Sequence, residues 1–95
     1  MATIADQLRQ EVASVYAQIE SELTDRVVSE IREHGCANVS MSSLVKGAKV
    51  NDGRYPQYGV YIDKRLEPVF VEDFRKKGFV VRHSIYWVNT YDVKL

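Results

Sequence analysis

Residues 2–34 contain neither proline nor glycine, and within them Ile4, Leu8, Val12, Val15, Tyr16, Ile19, Leu23, Val27 and Ile31 recur every three or four positions. That spacing lays a single apolar stripe along an α-helix, and such a stripe has to be buried. His34 falls in the last turn, where the helix dipole favours a cation, and Gly35 supplies the left-handed residue at which helices commonly stop. At ~1.5 Å per residue the helix spans about 48 Å, whereas a domain the size of this chain is about 30 Å across. The helix therefore overreaches its own domain. Either it bends, with Ser21, Thr24 and Asp25 capping a second segment, or it projects and is covered by another chain. From Leu8 to Ile31 the stripe takes 23 residues in six steps, a mean near 3.8, so it drifts around the helix. A drifting, broad face suits packing on a sheet or bundle better than a two-stranded zipper.

The remaining chain alternates between strand and turn signals. Residues 38–44 alternate Val39 and Met41 against Ser40 and Ser42, which predicts a strand. Residues 46–56, KGAKVNDGRYP, form a loop that is long for a hairpin and carries Lys46, Lys49, Arg54 and Tyr55. A second strand is expected over 57–62, with Tyr58, Val60 and Ile62 on one face. Pro68 suits the first turn of a second helix, whose buried side is Val69, Phe70 and Phe74 and whose last turn holds Arg75, Lys76 and Lys77 before Gly78. The aromatic and β-branched run 79–88 reads as one strand with Phe79, Val81, His83, Ile85 and Trp87 on a common face. Asn89 and Thr90 turn the chain into a last strand through Tyr91, Val93 and Leu95. The expected fold is thus a single α+β domain: a long N-terminal helix, bent or projecting, then β-β-α-β-β with a mainly antiparallel sheet.

Apolar (45%) and charged (27%) residues stand in ordinary globular proportions, so a folded chain rather than a disordered one is expected. Cys36 is the sole cysteine, so no internal disulfide forms, and no apolar run is long enough for a signal sequence or a membrane span. A reducing, cytoplasmic compartment is expected. The net charge of zero conceals an asymmetry: residues 1–45 hold three basic and seven acidic groups, while 46–95 hold ten basic and six acidic. Either the two halves attract each other, or the basic half meets an acidic partner.

The chemistry-bearing residues do not assemble into a reaction. His34 and Cys36 stand close, but His83 is alone at the far end, where a structural metal site would show a second close pair. Cys36 with His83 and an aspartate has no local motif behind it, and Gly47, Gly53 and Gly59 are spaced six apart without opening a helix, so no phosphate loop is present. No cofactor, metal or catalytic residue is expected. Protein binding becomes the leading class, partly by elimination: six tyrosines, one tryptophan and an over-long amphipathic helix are the material of interfaces. Lys46, Lys49, Arg54, Tyr55 and Tyr58 are the expected contact residues, and Leu8, Val12, Val15, Ile19 and Leu23 the expected homodimer seam. The alternative is a nucleic-acid-binding module that sets the basic residues of the second half on phosphates and its rings on bases.

The opening MATIADQLRQE and the closing run FRKKGFVVRHSIYWV resemble the small accessory proteins encoded by tailed phages. The resemblance implies a host-directed binding protein, for instance an inhibitor of a host or defence factor, acting in the host cytoplasm.

Overall fold

The apolar stripe forms one unbroken helix, α1 (Ile4–His34), of 31 residues. The computed structural model describes residues 3–51 and 59–95. Thr3 caps α1: its hydroxyl accepts from the Asp6 N–H while its own N–H donates to the Asp6 carboxylate, a reciprocal box that satisfies two end groups. Gly35 ends the helix at φ 79°, its N–H reaching the Ile31 carbonyl at 2.8 Å. The bend allowed for at 21–25 does not occur. Thr24 does not cap a new segment, because its hydroxyl donates back to the Glu20 carbonyl at 2.8 Å inside the same helix.

Four strands follow in the spatial order β2-β1-β4-β3: β1 (Ala37–Ser42), β2 (Val60–Asp63), β3 (Val80–His83) and β4 (Thr90–Lys94). The sheet is mixed, which corrects the mainly antiparallel arrangement expected from sequence. β1 pairs antiparallel with β4 and β4 with β3, but β1 and β2 run parallel, Val39 opposite Val60 and Met41 opposite Ile62. The physical reason is the connection 43–59, which has the dozen or more residues that a parallel crossover needs. On its way Val50 forms an antiparallel bridge to Ile62 along the outer edge of β2. Asn51, at φ 63°, then ties the chain down: its amide donates to the Gly59 carbonyl and its oxygen accepts from the Tyr61 N–H, both at 2.9 Å.

Asp63 ends β2 and starts a 3₁₀ turn (Lys64–Leu66) that leads into α2 (Glu67–Lys76), with Pro68 in the first turn as expected. Both helices cover the same face of the sheet. Ile19, Leu23 and Val27 of α1 and Phe70 and Phe74 of α2 meet Val39, Val60, Ile62 and Val93 in the core, all 1% exposed or less. The two helices are joined where the Tyr16 hydroxyl donates to Asp73 at 2.6 Å and Lys77 bridges Glu20, at 2.8 Å, and Asp73. Here the acidic first half meets the basic second half.

β1, β2 and β3 point the same way and β4 opposes them, so the molecule has two distinct ends. Only Gly35 and Cys36 separate α1 from β1, and α1 therefore runs back against β1 toward the end where β1, β2 and β3 finish. There Arg65, whose pKa is raised chiefly by its bond to Asp63, also feels Glu11 of α1. The first two turns of α1 accordingly project past this leading end, with Ile4 77% and Leu8 55% exposed.

Candidate functional site

Sequence alternation carries the third strand through to residue 88, but β3 stops at His83. The Ser84 side chain explains the stop: its oxygen accepts from the backbone N–H groups of Tyr86 and Trp87, each at 3.1 Å, and so folds the next residues out of the ladder. The Ser84 N–H donates to the Thr90 carbonyl at 2.8 Å, and the Thr90 hydroxyl donates to the Val88 carbonyl at 3.1 Å, which closes the loop 84–89 at its base. Asn89 takes the left-handed conformation at φ 53°, and its carbonyl accepts from the Met41 N–H at 2.7 Å. Fixed in this way, the loop holds four consecutive large residues in solvent: Ile85, Tyr86, Trp87 and Val88 are 85%, 81%, 65% and 88% exposed. Apolar residues exposed one at a time need no explanation, whereas a contiguous projection of this kind does.

Beside the loop lies a cleft of about 550 Å³ on the face of the sheet that the helices leave open. Asn38, Ser40 and Ser42 of β1 and Tyr61 of β2 line it, Trp87 and Val88 wall it, and Ser40 and Thr90 share a hydroxyl hydrogen bond of 2.9 Å at its floor. Its lining carries no charge and mixes the hydroxyl and amide groups of the strands with the apolar Met41, Trp87 and Val88, at the point where the loop returns to β4.

The other exposed apolar residues gather at the same end. Ile4 and Leu8 project there from α1, and Leu44, 67% exposed, follows β1 two residues after Ser42, to whose hydroxyl its N–H donates. Leu95, at the opposite end of β4, is the exception among the large exposed hydrophobics of the described residues.

The residues considered for catalysis are not brought together. Cys36 precedes β1 at the trailing end and His83 closes β3 at the leading end; burial pushes the Cys36 thiol up, away from thiolate character. His83 instead stacks on Tyr91, ring centroids 4.5 Å apart. Burial and then the Glu67 carboxylate, which accepts from its hydroxyl at 2.9 Å, push Tyr91 up to about 12 and keep it a donor rather than a nucleophile. Among the described residues no three His, Cys, Asp or Glu side chains form a metal-holding group, and no helix is long and apolar enough to cross a membrane.

Of the expected contact residues, Lys46 and Lys49 are exposed in the segment that leads along β2, while Arg54, Tyr55 and Tyr58 lie outside the described residues. The expected dimer seam divides. Ile19 and Leu23 are 1% and 0% exposed against their own sheet and have nothing left to offer a second chain; Val12 and Val15 are half-buried and Leu8 is free. The described cations are scattered and partly occupied: Arg65 by Asp63, Lys76 by Glu72, Lys77 by Glu20 and Asp73, and Arg75 by the Val81 carbonyl. The loop 84–89 was hidden in the sequence because its residues have strand composition; the one local sign was a serine followed by Asn89-Thr90. No protein-family model, curated protein or solved structure matches the chain.

Proposed function

We propose that this chain is a non-enzymatic protein-binding domain whose contact surface is the loop 84–89 and the cleft beside it. One observation carries this reading: four large apolar residues in succession are exposed on a loop that its own backbone bonds hold in place. A loop that merely connected two strands would bury such residues or replace them with polar ones, since exposing them costs about 1.5–3 kcal/mol for each large apolar side chain left in water. Tyr and Trp at the centre of the loop are the residues that most often dominate binding energy. The described cations of the second half fall on separate elements and several are already paired, so they give the nucleic-acid alternative no common track, and the expectation of a phage-type inhibitor rests on the two sequence runs alone.

The test uses the chain as bait in an extract of its own cells, alongside two variants. Tyr86→Ser with Trp87→Ser removes the rings from the loop, and Leu95→Ser changes an exposed apolar residue at the other end. Quantitative mass spectrometry should find at least one protein held by the wild type and by Leu95→Ser but lost with the loop variant. Identical captures by all three baits would overturn the assignment.

A further inference from the structure

We infer that the loop 84–89 takes a second copy of this chain as its partner, each copy seating Tyr86 and Trp87 in the cleft of the other. The inference rests on the reading of the loop as a protein contact and adds the identity of the occupant.

The geometry is self-complementary. Trp87 and Val88 belong both to the apolar projection and to the wall of the cleft, so projection and cavity stand side by side on one face. A two-fold axis passing between two such copies brings loop to cleft twice, which is what a closed, isologous interface requires. The area also suffices. With Tyr86 81% and Trp87 65% exposed, the two rings offer roughly 300 Å² at ~200 Å² per aromatic side chain. Ile85 and Val88 add roughly 60–100 Å² each of apolar area. The loop alone thus approaches ~500 Å², close to the ~600 Å² per partner at which standard-size interfaces begin. Ile4, Leu8 and Leu44 at the same end extend the surface that a second copy can cover. Finally, the chain carries no net charge, and its isoelectric point is near 6.7, so no long-range repulsion opposes the approach of two copies at neutral pH.

The experiment is the solution mass of the full chain, by sedimentation equilibrium, up to about 200 μM, a concentration that populates any dimer tighter than ~100 μM. The wild-type mass should rise with concentration from 10.9 kDa toward twice that value. Tyr86→Ser with Trp87→Ser should stay at the monomer mass at every concentration while leaving the far-ultraviolet circular dichroism spectrum that of a folded chain, because both side chains are exposed. Leu95→Ser should remain dimeric. A photo-crosslinking amino acid in place of Tyr86 should join to a peptide containing 38–42 of the other copy. A wild type that stays monomeric at every concentration overturns the inference, as does a loop variant that keeps the dimer mass. A monomer that still captures another protein through Tyr86 and Trp87 would leave the loop a protein contact and remove only the second copy.

Discussion

Asp63 is a carboxylate with 3% of its side chain exposed, and it remains ionised because its surroundings replace water bond for bond. Burial raises its pKa, but the Arg65 guanidinium, the Gly47 N–H at 2.8 Å and the Arg65 N–H at 3.0 Å outweigh that and hold it at about 2, against an ordinary 3.8. A folded-state pKa below the unfolded one contributes stability that is fully present above the unfolded value and is lost as pH falls through the folded value. At 1.36 kcal/mol per unit the contribution is on the order of 2 kcal/mol. Asp63→Asn should therefore cost about 2 kcal/mol in urea unfolding at pH 6, and the gap to the wild type should close as the pH is lowered from about 4 to about 2. A gap that persists in acid would mean that packing rather than charge anchors the 3₁₀ turn. Asn51 acts at the same scale on the backbone. Its φ of 63° is strained for any residue with a Cβ, and its side chain makes two hydrogen bonds. Asn51→Ala should cost about 2–3 kcal/mol through the lost bonds and residual strain, and Asn51→Gly about 1 kcal/mol less by relieving the strain. Equal losses would show that the backbone conformation carries no penalty here.

Along α1 a single stripe is part buried and part exposed, and the reach of the layer that covers it decides where one gives way to the other. Six residues of β1 cover roughly 20 Å at ~3.3 Å each, while the 31 residues of α1 extend about 46 Å. That strand length matches about 13 helical residues, so the sheet covers the stripe back to about Ser21 and α2 extends the cover to Tyr16, held by Asp73, where the buried positions begin. Leu23→Ala should cost about 2–5 kcal/mol by leaving a cavity, whereas Leu8→Ala in dilute solution should stay within about 0.5 kcal/mol; denaturant titration of the two variants separates them. Similar losses would mean that the projecting turns are buried in the monomer. The sequence showed the stripe, its end at Gly35, α2 and the order of elements, because each rests on local periodicity and caps. It did not show where the covering sheet runs out, since that depends on strands encoded far away. Nor did it show that β1 and β2 are parallel, because a long connection is compatible with either sense. The candidate site was legible only as an aromatic run. Alternation continued unbroken from 79 to 88, and the interruption came from one serine oxygen capturing two N–H groups, a competition that composition does not register.

At the scale of the molecule, each edge of the sheet is covered at one point against further pairing, which leaves the leading end as the surface for the association proposed above. Val50 bridges the outer side of β2. On β3, the bonded pair of Ser84 and Thr90 sets the alternation, so that the backbone groups of Val81 and His83 face outward. Arg75 from α2 caps the Val81 carbonyl there at 3.0 Å. Shortness and a capping cation are two of the devices by which sheet edges avoid pairing with strangers. The helices fill one face, and what remains is the open face with its cleft and the apolar end formed by the loop 84–89, Leu44 and the tip of α1. An association built from those residues should depend little on ionic strength, because neither the loop that enters the contact nor the lining of the cleft carries a charge. Between about 50 and about 500 mM salt, where the screening length falls from roughly 14 to 4 Å, the dimer dissociation constant should move by less than about threefold, with any drift toward tighter binding. Sedimentation at the two salts measures it. A weakening beyond about tenfold would resemble the counterion release of a charge-driven complex, and would place the contact among the cations of the second half instead of on Tyr86 and Trp87.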